Sequence, residues 1–284
     1  MEIASQIDAE VVSADSGQIY RGMNIGTAKP TREERARVPF HLVDIVDPDA
    51  QFSAADFRSR ALEVIQDIQS RGKKALVVGG TGLYLKALEQ GLFEGPSRDD
   101  AVRAELEARI REEGVASLHR ELTRVDPEAA RTIPPGNRQR IIRALEVHRL
   151  TGKPISAFWE EHRSQDRSGG RSGAVFQKLG LSVPAQELNQ RIEERVEEMI
   201  EQGLLAEVRG LCERWGRAAP GLKLIGYKEI VAYLEEKCSL ESAIALVIRN
   251  TRQYAKRQRT WFKKDREIQW FEASDTLTHL LTKK

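Results

Sequence analysis

Apolar residues fall into two rhythms along this chain. Short runs stop abruptly at turn-forming residues: one ends at Val11-Val12 before Ser-Ala-Asp-Ser-Gly, one spans Leu42 to Val46 before Asp47-Pro48, and one spans Ala75 to Val78 before Gly79-Gly80. Such runs predict buried strands. Between and after them, apolar residues recur at three and four positions. Phe57, Ala61, Leu62, Ile65 and Ile68 mark a helix that starts at a Ser53/Asp56 capping-box spacing and runs to about Ser70, and another helix opens around Leu83 to Leu88. The short segment Met1 to Ile7 reads as the tail of a helix. Strands alternating with helices predict an α/β protein with a mostly parallel sheet flanked by helices.

From Ser97 the rhythm is helical only. Ser97 and Asp100 give a capping-box spacing ahead of Val102, Leu106 and Ile110, in a helix expected to end near Gly114. Asn137 is placed to cap a helix whose Ile141, Ile142 and Leu145 face inward while Arg138, Arg140 and Arg143 project elsewhere. Asp166 to Gly173, DRSGGRSG, has linker composition, and strand character resumes over Val175 to Val183. The predicted organisation is a core over 1–96, an all-helical insertion over 97–172, and the rest of the core over 173–284. Gln186 to Trp215 reads as helix interrupted at Gly203, with Leu188, Ile192, Val196 and Ile200 buried and the Glu193/Glu197 face exposed and without chemistry.

With 284 residues, 40% of them hydrophobic, the chain can bury one sizeable core and carry a second small domain. No run approaches the length of a membrane span, and Met1 to Glu10 lacks the pattern of a secretory leader, so a cytoplasmic protein is expected. Cys212 and Cys238 stand apart with no ligand-like spacing and read as reduced structural residues. A net charge of +2 makes the distribution of charge more informative than its sum.

That distribution is uneven. Arg249 to Lys264, RNTRQYAKRQRTWFKK, holds basic residues and no acidic one, and on a helix Arg252, Lys256, Arg259 and Lys263 line one side. They could track a phosphate backbone, while Tyr254, Trp261 and Phe262 either stack on bases or fill the core. Asp15 sits where a strand stops, the side of a parallel sheet that faces ligands, although an aspartate there can equally cap its own turn. Gly79-Gly80-Thr81-Gly82 opens a helix and either approaches an anion or makes a turn. Lys228, after Leu224-Ile225-Gly226-Tyr227, is a phosphate ligand or a solvated charge.

The run DSGQIYRGMNIGTAKP from Asp15 to Pro30 resembles the signature of the bacterial tRNA dimethylallyltransferases, also called tRNA isopentenyltransferases. The similarity continues through Phe40-His41-Leu42-Val43-Asp44-Ile45, Phe52-Ser53-Ala54-Ala55-Asp56-Phe57 and Val78-Gly79-Gly80-Thr81-Gly82-Leu83-Tyr84, and recurs almost to the C-terminus. The resemblance implies a P-loop-NTPase-like core and transfer of a dimethylallyl group from its diphosphate to N6 of the adenine beside the tRNA anticodon, with pyrophosphate released and Mg2+ assisting. It implies catalytic roles for Asp15 and Thr81, and tRNA contacts from Asp15, Ser16, Gly17, Gln18 and Thr81. Arg103, Gln139, Arg140, Ile141, Ile142 and Arg143 match contact positions in the family's helical insertion, and Arg252, Lys256, Arg257, Arg259 and Lys263 lie in the segment that meets the anticodon arm. Lys228 matches a position bordering the diphosphate. Expected partners are the anticodon stem-loop and dimethylallyl diphosphate, with no membrane, and the chain is expected to act as a monomer.

One departure stands out. The family has a strand and a GxxxxGK[ST] phosphate loop just before the helix at Met1 to Ile7, and no such loop occurs in these 284 residues. The expectation is a chain that binds tRNA but transfers little or nothing, with a gap at the centre of its sheet that exposes strand edges and apolar surface, and hence poor solubility or partial disorder near Met1 to Glu10. A nucleotide kinase and a non-catalytic RNA-binding protein are the alternatives. The kinase leaves the DSGQIYRG run and the basic helix without a role.

Overall fold

The computed structural model describes residues 1–167 and 176–272. The described residues divide into two compact units, one within Met1–Glu89 and Val175–Lys284, the other within Gln90–Ala174. The architecture is α/β, with every strand pairing parallel among the described residues.

The first unit begins with α1 (Glu2–Gln6), β1 (Ala9–Ser13), α2 (Arg32–Arg37), β2 (Phe40–His41), α3 (Ala54–Ser70), β3 (Lys74–Val78) and α4 (Gly82–Gln90). Five consecutive buried residues make β1 the centre of a sheet ordered β2-β1-β3. Val12 pairs with both His41 and Val77, so these three strands are contiguous, but the parallel strands of this unit fall into two separate sheets and Val78 on the edge strand β3 is exposed. Met1 to Glu10 is ordered as α1 and the start of β1, anchored by fully buried Ala4. The helix predicted to end near Ser70 is α3, and both hydrogen bonds of its Ser53/Asp56 capping box form. Its Phe57 stacks on Tyr84 of α4 at 4.4 Å between ring centroids, within a core that includes Val12, Ala14 and Leu88.

The strand predicted over Leu42 to Val46 is not one. β2 ends at His41, and Leu42 and Asp44 take positive φ angles of 60° and 57°. A non-local cause explains the turn: the Asp44 carboxylate is drawn onto Lys29 Nζ at 2.6 Å and Arg35 Nη1 at 2.8 Å. Burial pushes the Lys29 amine down from its ordinary range, and the bond to Asp44 opposes that shift. On β1 itself, buried Glu10 accepts from Arg71 and Lys73 and sits 2.8 Å from His41 Nε2. The bond from Arg71 holds its carboxyl well below the ordinary range against the opposing effect of burial.

The second unit is helical: α5 (Asp100–Glu113), α6 (Val115–Val125), α7 (Pro127–Thr132), α8 (Arg138–Thr151) and α9 (Ile155–Arg167). The cap of α5 is Asp99, which accepts from Val102 N at 2.8 Å, and not Ser97. Asn137 caps α8 as expected, and Leu106, Leu118, Leu122, Ile141 and Leu145 fill this unit's own core. The linker-like DRSGGRSG lies outside the described residues from 168 on.

The first unit resumes with β4 (Leu179–Ser182), α10 (Ala185–Glu201), α11 (Leu204–Trp215), α12 (Tyr227–Leu234), α13 (Leu240–Phe262) and β5 (Gln269–Glu272). The strand expected over Val175 to Val183 is therefore the shorter β4, and it pairs with β5 in a sheet of its own. Gly203, at φ 97°, breaks the predicted long helix into α10 and α11. Half-buried Lys178 meets Glu89 at 2.5 Å, Asp265 at 2.8 Å and Glu267 at 2.8 Å, which joins the end of α4, the approach to β4 and the turn after α13 at one ammonium group. No described helix is long and apolar enough to cross a membrane.

Candidate active site and RNA-contact residues

Two turns meet where β1 and β3 end. Ala14 N donates to Val78 O at 2.7 Å and Thr81 N donates back to Ala14 O at 3.3 Å. Gly79 lies so close that an added Cβ would fall 2.2 Å from the Ala14 carbonyl oxygen, which explains glycine there. Ser16 N donates to Thr81 Oγ1 at 3.1 Å, and the Thr81 hydroxyl donates to Ser16 Oγ at 3.4 Å. The turn-capping reading of Asp15 is the one the hydrogen bonds show. Its Oδ1 accepts from Gly17 N at 2.7 Å and Gln18 N at 3.2 Å, closing its own turn, while Oδ2 has no partner among the described residues.

The turn is backed by the segment from Met23 to Lys29. Gly17 is buried against Thr27 and Leu224, so its contribution to any ligand is through the backbone. The Gln18 side chain is held inside the protein, its amide oxygen accepting from Ser13 Oγ at 3.0 Å and its Nε2 reaching the Thr27 and Ala28 carbonyls at 3.4 Å. Lys228 starts α12 exposed, 3.6 Å from Glu229, on the segment whose Leu224 touches the Asp15 turn.

Helix α13 crosses this end of the sheet. Gln258 Nε2 donates to Gly80 O at 2.9 Å, and the Trp261 indole would lie 2.4 Å from a Cβ on Gly82. Burial and the charge of Asp15 push the Tyr254 phenol up, opposed by bonds with the Thr81 and Gln258 side chains. At about 100° per residue, Tyr254, Gln258 and Trp261 share one face, and Arg252, Lys256, Arg259 and Lys263 line the opposite one. The stripe is not uniform. Arg252 is tied to Glu193 of α10 at 2.5 Å, so the α10 face read as lacking a role holds a partner, while Lys256, Arg257, Arg259 and Lys263 are exposed and form no ion pair among the described residues. The sequence places Gln258 only within the basic segment expected to meet the anticodon arm and does not foretell its contact with the Gly80 turn, although its four-residue spacing from Tyr254 puts it on that face.

In the second unit, Gln139 and Arg140 are exposed at the start of α8, but Ile141 and Ile142 are buried, as their place on its inward stripe requires, and cannot offer side chains to RNA. Arg103 and Arg143 are not free cations either. Fully buried Glu146 takes Arg103 Nε at 2.7 Å and Nη2 at 2.9 Å, Arg143 Nη1 at 2.7 Å and Asp99 N at 2.9 Å, and these bonds outweigh burial to lower its carboxyl to about 2. Each guanidinium remains about a quarter exposed.

The family profile described as IPP transferase matches residues 18–265, which contain the Gly79-Gly80-Thr81 turn, α8 and the basic helix, and begins just after Asp15. The chain belongs to the IPP transferase family. Similar relatives within it include tRNA dimethylallyltransferase 2 of Geotalea uraniireducens, 53% identical over 275 residues that cover 96% of this chain and 86% of the relative. The tRNA dimethylallyltransferase of Geobacter metallireducens is 52% identical, with 96% of this chain and 87% of the relative covered. Among solved structures, the full-length tRNA isopentenylpyrophosphate transferase of Bacillus halodurans superposes with a TM-score of 0.69 at 40% identity, covering 99% of this chain and 87% of its own. A eukaryotic dimethylallyltransferase acting on tRNA gives a TM-score of 0.74 at 28% identity, covering 99% of this chain and 71% of its own.

Proposed function

We propose that this chain transfers a dimethylallyl group from dimethylallyl diphosphate to N6 of the adenine next to the tRNA anticodon. The observation that carries the reading is the Asp15 carboxylate, fixed through Oδ1 with Oδ2 unpaired, beside Thr81 at the carboxyl ends of two parallel strands in a chain of this family. The N6 lone pair is delocalised into the purine ring and attacks weakly. As it bonds to C1 of the dimethylallyl group, the C1–O bond to the diphosphate breaks, pyrophosphate leaves with that electron pair, and the N6 proton passes to Asp15 Oδ2. The target adenine is flipped from its loop to reach an enclosed carboxylate, at a cost that an RNA loop keeps modest. Thr81, tied to the Asp15 turn through Ser16, positions the reacting groups.

Lys256, Arg257, Arg259 and Lys263 carry the backbone contacts in the first unit, and Gln139, Arg140, Arg103 and Arg143 carry those of the second. Lys228 reaches the diphosphate. With Asp15 Oδ2 reserved for the proton, the oxygens near the turn that would suit Mg2+ are the Ser16 and Thr81 hydroxyls; no described group of three or more acidic, His or Cys side chains gathers for a metal, so water and substrate phosphate oxygens would make up most of its shell. When bound there, Mg2+ offsets charge on the departing diphosphate. The protein works as a monomer in the cytoplasm.

Because no GxxxxGK[ST] run occurs in the 284 residues, transfer by the chain as given is impaired. The assay is incorporation of radiolabelled dimethylallyl diphosphate into a cognate stem-loop, with and without a strand and GxxxxGK[ST] segment joined ahead of Met1. Transfer that rises with the segment and depends on Mg2+ supports the proposal. Equal turnover shows the diphosphate to be held elsewhere, and tight stem-loop binding with no transfer from either form favours the non-catalytic reading.

A further inference from the structure

Glu207, on α11, belongs to a stretch whose sequence suggests only packing, yet its carboxylate collects four donors from two separate segments. Asn24 N reaches Oε2 at 2.9 Å, Ile25 N reaches the same oxygen at 2.9 Å, Gly26 N approaches Oε1 at 3.4 Å, and the buried Tyr227 hydroxyl donates to Oε1 at 2.6 Å. Three successive backbone N–H groups turned toward one anion make a nest, a concavity that stabilises negative charge and is itself held in shape by it. Tyr227 is fully buried, and its ring packs so tightly on Gly26 that a Cβ there would lie 2.5 Å from it. The phenol is pushed up by burial and by the Glu207 charge, so it stays a donor.

The nest leads directly to the reacting end of the sheet. Thr27, the next residue, has its hydroxyl fixed on Met23 O at 2.6 Å, presses its methyl group against Gly17, and offers the carbonyl that anchors Gln18 Nε2. Gln18 N in turn donates to Asp15 Oδ1. We infer that Glu207 is a positioning residue for the substrate adenine: through the Asn24–Gly26 nest, Thr27 and Gln18, it sets the turn that presents Asp15, without touching substrate itself. The inference rests on the proposed reading that this turn receives a flipped adenine.

The test uses a stem-loop with 2-aminopurine at the target adenine, whose fluorescence rises when the base leaves its stack. Affinity is read separately by anisotropy of an end label, and folding by thermal melting. With the unaltered chain, binding should raise the 2-aminopurine signal; binding without a rise would sink the proposed base-flipping reading and leave Glu207 with nothing to position. With E207Q, whose amide places N–H groups against the nest, the rise should fall about fivefold or more while the dissociation constant changes by no more than about twofold, because the exposed cations on α13 are untouched. A folded E207Q with the full rise would overturn the inference, as would a loss of affinity equal to the loss of signal. If E207Q does not melt cooperatively, E207D takes its place, keeping the charge but withdrawing it by one methylene; the same selective loss is expected, and a full rise refutes the positioning role.

Discussion

Replacing Glu146 by glutamine removes one charge and little else. The amide keeps the shape and one acceptor oxygen, but two guanidinium groups that converge on a fully buried carboxylate lose their counter-charge. The magnitude follows from linkage: a carboxyl lowered from 4.5 to about 2 on folding stabilises the folded state by on the order of 3 kcal/mol at neutral pH. The sign is that of a depressed acid, so the stabilisation is complete above the unfolded value of 4.5 and disappears as pH falls through about 2. In urea, with a slope of about 1–3 kcal/mol per molar, the midpoint of the transition that melts α5 and α8 should drop by about 1–3 M at pH 7. The gap between wild type and E146Q should close steadily between pH 4.5 and 2, while groups common to both proteins cancel. Denaturation followed by hydrogen exchange at α8 amides assigns the transition to the second unit. A gap below about 1 kcal/mol, or one that ignores pH, would show that the two arginines hold themselves in place without Glu146.

Asp15→Asn should lower transfer by about 100-fold or more with stem-loop affinity nearly unchanged, since the amide cannot take the N6 proton; full activity would remove Asp15 from the chemistry. Neutralising Lys256, Arg259 and Lys263 together should flatten the salt dependence of stem-loop binding by about 2–3 units of slope, and an unchanged slope refutes phosphate contact by that stripe. Gly79→Ala drives a Cβ to within 2.2 Å of the Ala14 carbonyl, so the β1 and β3 turns must separate; a lowered melting temperature and lost transfer are expected, and wild-type values for both would contradict the geometry.

The first strands and the turns at their carboxyl ends were legible because their determinants are local. Val11-Val12 followed by turn residues predicts both β1 and the placement of Asp15, and the Ser53/Asp56 spacing predicts the start of α3. The misreadings share another cause. Leu42 to Val46 has strand composition, but Asp44 answers to Lys29 and Arg35, and only the fold brings them together. Gln269–Glu272 offers too little apolar pattern to predict a strand, and β5 forms because β4 supplies its partner from far upstream. Arg252, Arg103 and Arg143 look identical in sequence to solvated cations until Glu193 and Glu146 are found beside them. Glu207 carries no local signature, since its donors lie about 180 residues before it and 20 after it.

The ion cluster at Lys178 bears on how the helical unit came to sit within the chain. Glu89 is the last residue before that unit and Lys178 follows soon after it, so their contact fixes the point of departure and the point of return side by side. Whatever runs between two posts already fixed together adds only a loop-closure term, which grows with the logarithm of its length at about 0.6 kcal/mol per doubling. The segment can therefore lengthen, shorten or be exchanged with little consequence for the parallel sheet, so long as the posts remain. Asp265 and Glu267 hold the end of the basic helix to the same ammonium group. Diversification of the inserted part and constancy of the reacting end are thereby made compatible within one gene product.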